Sequence, residues 1–232
     1  MKIAVMNFSG NVGKSTIAKH LLAPRMKNCR VLFVETINEG GDATNIKGKE
    51  FKEVLVELAL LDDAVVDIGS SNIEEVFKQL KSMADAHEDF DYYVIPTVPS
   101  QKQQKDTGKI FLELVELGID LTKIKLVFNQ VERGSNVEKI FGTLIDVVAP
   151  FHTPLNAIIH ESEVYPMMGT LTMEAAIAEG TDFKAMIAAT SDIEEKRKLA
   201  TLLGLSRLAK GAAKELDVVF AALFASKVAK AA

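Results

Sequence analysis

The segment that most constrains this chain is Asn7-Phe8-Ser9-Gly10-Asn11-Val12-Gly13-Lys14-Ser15-Thr16. It follows an apolar run that begins at Ile3 and leads into a helical pattern ending near Pro24. A strand, a glycine-bearing turn and then a helix form the setting in which backbone N–H groups gather around phosphate. Gly10 and Gly13 let the backbone curl so that successive N–H groups face inward. A helix opening near Lys14 adds its positive end. Lys14 reaches outer phosphates, Ser15 offers a hydroxyl to Mg²⁺, and Thr16 falls near an α-phosphate. Gly10, Asn11, Val12, Gly13, Lys14, Ser15 and Thr16 are therefore the candidate nucleotide-binding residues. The strict pattern G-x-x-x-x-G-K-S/T has glycine where this chain has Phe8. The bland alternative is a Gly-Lys-Ser helix start with no ligand.

Short apolar runs alternate with helical patterns along the first two thirds of the chain. Ile3–Asn7, Val31–Thr36, Ala64–Ile68, Tyr92–Thr97, Ile124–Asn129 and Leu155–Ile159 read as strands. The runs are continuous rather than alternating, as in strands covered on both faces by helices. Ile73–Ala86, Lys105–Leu117 and Val137–Val148 read as helices between them. This order predicts an α/β fold with a doubly wound, mostly parallel sheet, whose ligands lie at one strand edge. Beyond Thr170 the pattern is helical only: Thr172–Ala178, Asp182–Ala189, Ile193–Leu203 and Ala212–Ala231, punctuated by Gly180, Gly204 and Gly211. Residues 1–232 are read as one domain, with 171–232 a helical extension packed on the sheet.

Composition excludes several classes. Cys29 is the only cysteine, so neither an intramolecular disulfide nor a Cys-rich zinc site is available. With no secretory h-region and no apolar run near ~18 residues, the expected location is cytoplasmic and no membrane span is expected. A net charge of −5 argues against a strongly basic nucleic-acid binder. His20, His87, His152 and His160 lack mutual ligand spacing and read as surface or packing residues. Lys102, Lys105 and Lys109 recur near helical spacing among Gln101, Gln103 and Gln104. They read as a solvated face, with a DNA-facing surface as the alternative. Phe220, Leu223, Phe224 and Val228 form an apolar stripe beside Lys214, Lys227 and Lys230. Packing on the body is its plain reading, and a membrane-surface helix the alternative.

Several segments occur in the order seen in the deviant Walker A ATPases of the ParA/MinD group, and the chain resembles that family over roughly residues 1–170. Arg30–Glu35 resembles the second strand, which ends in an acid, and Ala64–Ser71 the Walker B strand with Asp67. Asp91–Ser100 is similar to the next strand, with its Pro96-x-x-Pro99 ending. Ile124–Asn129 is similar to the strand whose terminal Asn helps hold adenine, and Pro154–Glu163 to the segment that follows. Within the group, the opening run Met1–Ser15 most resembles the StbB plasmid stability family of conjugative plasmids. The resemblance implies ATP and Mg²⁺ as cofactors. It assigns Lys14, Glu35 and Asp67 as catalytic candidates, Ser15 and Asp67 as metal ligands, and Asn129 as an adenine contact. Guanine is the alternative base, which would favour an Asp shortly after the Asn, where Gln130-Val131-Glu132 offers only Glu132. Asp67 also reads as a cap or turn acid, Glu35 as a loop cap, and Asn129 as an ordinary turn residue.

Two departures qualify what the resemblance implies. Ser9 stands where the group has the lysine that crosses a sandwich dimer, and Ile37 stands where a second acid positions water. Glu39 and Asp42 follow in the next loop. The expected function is an ATP-binding, slowly hydrolysing switch in plasmid stability, segregation or conjugative transfer. It would act with a DNA-binding adaptor, with indirect DNA contact. A nucleotide-dependent homodimer is the assembly that the resemblance implies, and Ser9 counts against it. A dethiobiotin synthetase-like enzyme and a degenerate nucleotide-binding module are the competing readings on the same fold.

Overall fold

A computed structural model describes residues 1–34, 45–46, 51–151 and 155–224. Its sheet has seven strands: β1 (Lys2–Val5), β2 (Arg30–Val34), β3 (Asn45–Ile46), β4 (Ala64–Ile68), β5 (Tyr92–Thr97), β6 (Ile124–Val131) and β7 (Ile158–His160). They lie in the order β3-β2-β4-β1-β5-β6-β7, and every registered pair is parallel. β1 is therefore central, between β4 and β5. The sheet extends from it on one side through β4, β2 and β3, and on the other through β5 to β7. Such a reversal of winding opens a crevice at the carboxyl ends of the middle strands.

The helices are α1 (Lys14–Thr16), α2 (Phe51–Ala59), α3 (Ile73–Ser82), α4 (Gln101–Glu116), α5 (Val137–Ile140), α6 (Gly142–Val148), α7 (Val164–Met168), α8 (Met173–Ile177), α9 (Phe183–Ala189) and α10 (Ile193–Phe224). α1 continues as a wider π-helical stretch over Ile17–Leu22, and Pro24 ends it in a tight 3-10 turn over Ala23–Arg25.

Side-chain alternation along the strands sorts the core into two layers. On one face, Ala4 and Met6 join Phe51, Val54, Phe77, Phe111 and Leu144 from α2, α3, α4 and α6. On the other, Ile3 and Val5 join Ile17 and Leu21, which follow α1, and Ala209, Leu216 and Val219 of α10. The C-terminal helices thus cover the same face as the helix that follows the glycine-bearing turn.

Several boundaries differ from the sequence expectations. β6 runs on to Val131, and β7 pairs only over Ile158–His160 rather than Leu155–Ile159. The cause is a register shift between Phe128 and Val131, where Gln130 has φ 56°. The helix expected over Val137–Val148 breaks at Phe141 into α5 and α6. α4 begins at Gln101, earlier than the apolar spacing suggests. Gly204 and Gly211 do not divide the C-terminal helices: α10 is continuous for 32 residues. Each glycine costs ~1 kcal/mol against alanine in a helix. Burial of Leu199, Leu205, Ala209, Ala212, Leu216, Val219 and Leu223 along the helix offsets that. Phe224 meets Tyr92 of β5 edge-on at 4.9 Å, so the described part of the terminal apolar stripe packs on the sheet. Val228, Lys227 and Lys230 lie outside the described residues. No helix among the described residues is long and apolar enough to cross a membrane.

Candidate functional site

The turn after β1 stands at the carboxyl edge of the sheet's centre, and its shape follows from two residues with positive φ, Asn11 (58°) and Gly13 (87°). Turns of this kind set N–H groups around a concavity that suits an anion. Gly13 is required for a second reason: a Cβ there would overlap the Asn129 amide nitrogen. That same nitrogen donates to the Val12 carbonyl at 2.9 Å, so the end of β6 clamps the turn from outside. Gln130 reaches the Asn11 carbonyl at 3.5 Å.

Lys14 is buried and curls back over the turn, its ammonium donating to the carbonyls of Ser9 (2.8 Å) and Asn7 (3.3 Å). The Ser15 hydroxyl donates to Asp67 Oδ2 at 2.6 Å. Asp67 is buried in β4, and the residue preceding α3 is Asn72, so Asp67 does not cap that helix. Together these residues open on a cavity of about 440 Å³ lined by Asn11, Gly13, Lys14, Ser15, Asp67 and Ser70. A second cavity of about 570 Å³ shares Thr16 and Gln130 with it and extends past Asn129 to His160, Glu163 and Tyr165. Both fall within the usual size of ligand pockets.

The first half of the turn is fastened to β5 and α4. Asn7 donates to Pro96 O and to Thr107 Oγ1, both at 2.8 Å. Ser9 Oγ donates to Asp106 Oδ2 at 2.5 Å, and the Lys109 ammonium sits 4.4 Å from the centre of the Phe8 ring. Lys102, Lys105 and Lys109 are exposed, but Gln104 is buried and donates to Pro99 O and Ile140 O. None of these fastenings follows from the sequence pattern, although Asn7 at a strand end is a visible signal. His160 is half-buried, and its backbone N–H and Nδ1 both meet Glu215 of α10. Glu35, Thr36, Ile37, Glu39, Asp42, His152 and Pro154 lie outside the described residues.

No family model matches the sequence, and no curated protein matches it. Solved structures do. The septum site-determining protein MinD of Pyrococcus horikoshii, complexed with Mg-ADP, is 13% identical with a TM-score of 0.50, over 87% of this chain and 93% of that one. Apo McdA of Cyanothece is 14% identical with a TM-score of 0.50, over 93% and 98%. At this identity the likeness shows a fold shared with these two proteins and no more.

Proposed function

We propose that this chain is an ATP-binding P-loop switch of the ParA/MinD type, serving plasmid stability, segregation or conjugative transfer. One observation carries the reading: Lys14 and Ser15 from the turn after β1 and Asp67 from β4 converge on one cavity at the sheet's carboxyl edge. The Lys14 ammonium, held by the Ser9 and Asn7 carbonyls, would be the cation that meets the outer phosphates of a bound triphosphate. Ser15 and Asp67 are hard oxygen donors in mutual contact, a donor set that fits Mg²⁺, which would supply charge neutralisation at the phosphates. Ser9 is turned to Asp106, which supports slow hydrolysis, since this position brings no cation to a nucleotide. The whole chain acts as one unit with its helical extension, and a net charge of −5 favours a basic DNA-binding adaptor over direct DNA contact.

The test is sedimentation of the purified protein with Mg²⁺ and either no nucleotide, ADP or a slowly hydrolysed ATP analogue, with bound nucleotide measured in parallel. Triphosphate binding with a change of assembly supports the switch. Absence of nucleotide binding sinks it. Asp67→Ala is expected to weaken binding about 10-fold more with Mg²⁺ than with chelator. Equal losses in titration calorimetry would make Asp67 structural.

A further inference from the structure

The second cavity contains a histidine whose orientation is set from outside. The His160 backbone N–H donates to Glu215 Oε1 at 2.8 Å, and its Nδ1 lies 3.2 Å from Oε2. Arg133 Nη2 approaches the same Oε2 at 2.6 Å. Burial alone pushes the Glu215 carboxyl upward, but the hydrogen bonds from His160 and Arg133 outweigh it and hold the group below the ordinary glutamate value. Near neutral pH Glu215 is thus a carboxylate, which only accepts hydrogen bonds. Nδ1 must then carry the proton, and in the neutral ring Nε2 is left as an acceptor.

We propose that His160 reads the base of the nucleotide, its Nε2 accepting a hydrogen bond from the exocyclic amino group of a 6-aminopurine. This rests on the reading that the adjoining cavity holds the phosphates, since Thr16 and Gln130 border both. Other polar groups border the cavity: the Asn129 amide nitrogen is committed to Val12 O while its oxygen is an acceptor, and Gln130 reaches Asn11 O. The Ser162 and Tyr165 hydroxyls donate or accept alike and so discriminate less. Glu161 and Glu163 also line it and share the preference for a donor over a 6-oxo group. Glu215 is a positioning residue: it touches no base and acts by fixing the imidazole.

The test compares equilibrium binding of ATP, inosine triphosphate and inorganic tripolyphosphate at about pH 8. The native chain is expected to favour ATP over inosine triphosphate at least ~10-fold. His160→Phe should lower that ratio several-fold, any remainder resting on Glu161 and Glu163, with tripolyphosphate affinity unchanged. His160→Gln, which keeps an acceptor, should retain part of it. Glu215→Gln should lower the ratio several-fold, again with tripolyphosphate unaffected. An unchanged ratio in His160→Phe, or a native preference for inosine triphosphate, overturns the proposal. If no ligand binds, tripolyphosphate included, the phosphate-site reading falls and takes this one with it.

Discussion

Lys14→Ala is expected to reduce nucleotide affinity by ~100-fold or more, equivalent to about 2.7 kcal/mol. The ammonium is the cation that the turn itself positions, and charge-assisted contacts to phosphate are roughly twice as strong as neutral ones. It also bonds the Ser9 and Asn7 carbonyls, so the alanine variant loses contacts that hold the turn. Hydrogen bonds to a charged group contribute ~1.5–3 kcal/mol. Lys14→Met separates the two effects, because it keeps the apolar stem while removing the charge. Both variants should lose binding in calorimetry, and the methionine variant should melt nearer the native temperature. Unchanged affinity in both would remove Lys14 from the phosphate site.

Gly13→Ala is expected to be more damaging to the fold than any other single methyl in the turn. The left-handed conformation costs a non-glycine residue ~1–2 kcal/mol. Forcing the Cβ into the space of the Asn129 amide adds ~1–3 kcal/mol of overpacking. In a chain of this size that lowers the melting temperature by roughly 5–15 °C. Nucleotide binding should weaken with it, since the left-handed conformation at residue 13 shapes the turn and alanine disfavours it. Adding Asn129→Ala should restore the packing part but leave the conformational part. A double variant no more stable than Gly13→Ala alone would show that the Asn129 contact is not the cause.

The two predictions concern residues of unequal visibility. Lys14 is legible because a strand, glycines and Gly-Lys-Ser are contiguous. The Asn129 clamp on the turn spans more than a hundred residues, and no local pattern encodes it. The same holds for Ser9 with Asp106 and for His160 with Glu215. Strands buried on both faces are legible as continuous apolar runs, as Ala64–Ile68 and Tyr92–Thr97 show. β7 is displaced from its apolar run because its pairing begins only after the Gln130 irregularity. α2 is absent from the sequence expectations although Phe51, Val54, Leu55 and Leu58 follow helical spacing. Gly204 and Gly211 mislead because local propensity is weaker than the burial along a long helix.

The parallel sheet has a consequence for the order of assembly. Lys2 aligns with Ala64 and Ile3 with Tyr92, so the central strand has no neighbour close to it in sequence. Loop closure must precede each of these pairings, which makes such topologies slow to form. The turn beside β1 also lacks its outer clamp until Asn129 has been made. At ~5–20 residues per second of synthesis, that delay is on the order of ten seconds. The segment translated first is thus completed late, and a ribosome-bound chain ending before β6 carries the turn without the contact that shapes it.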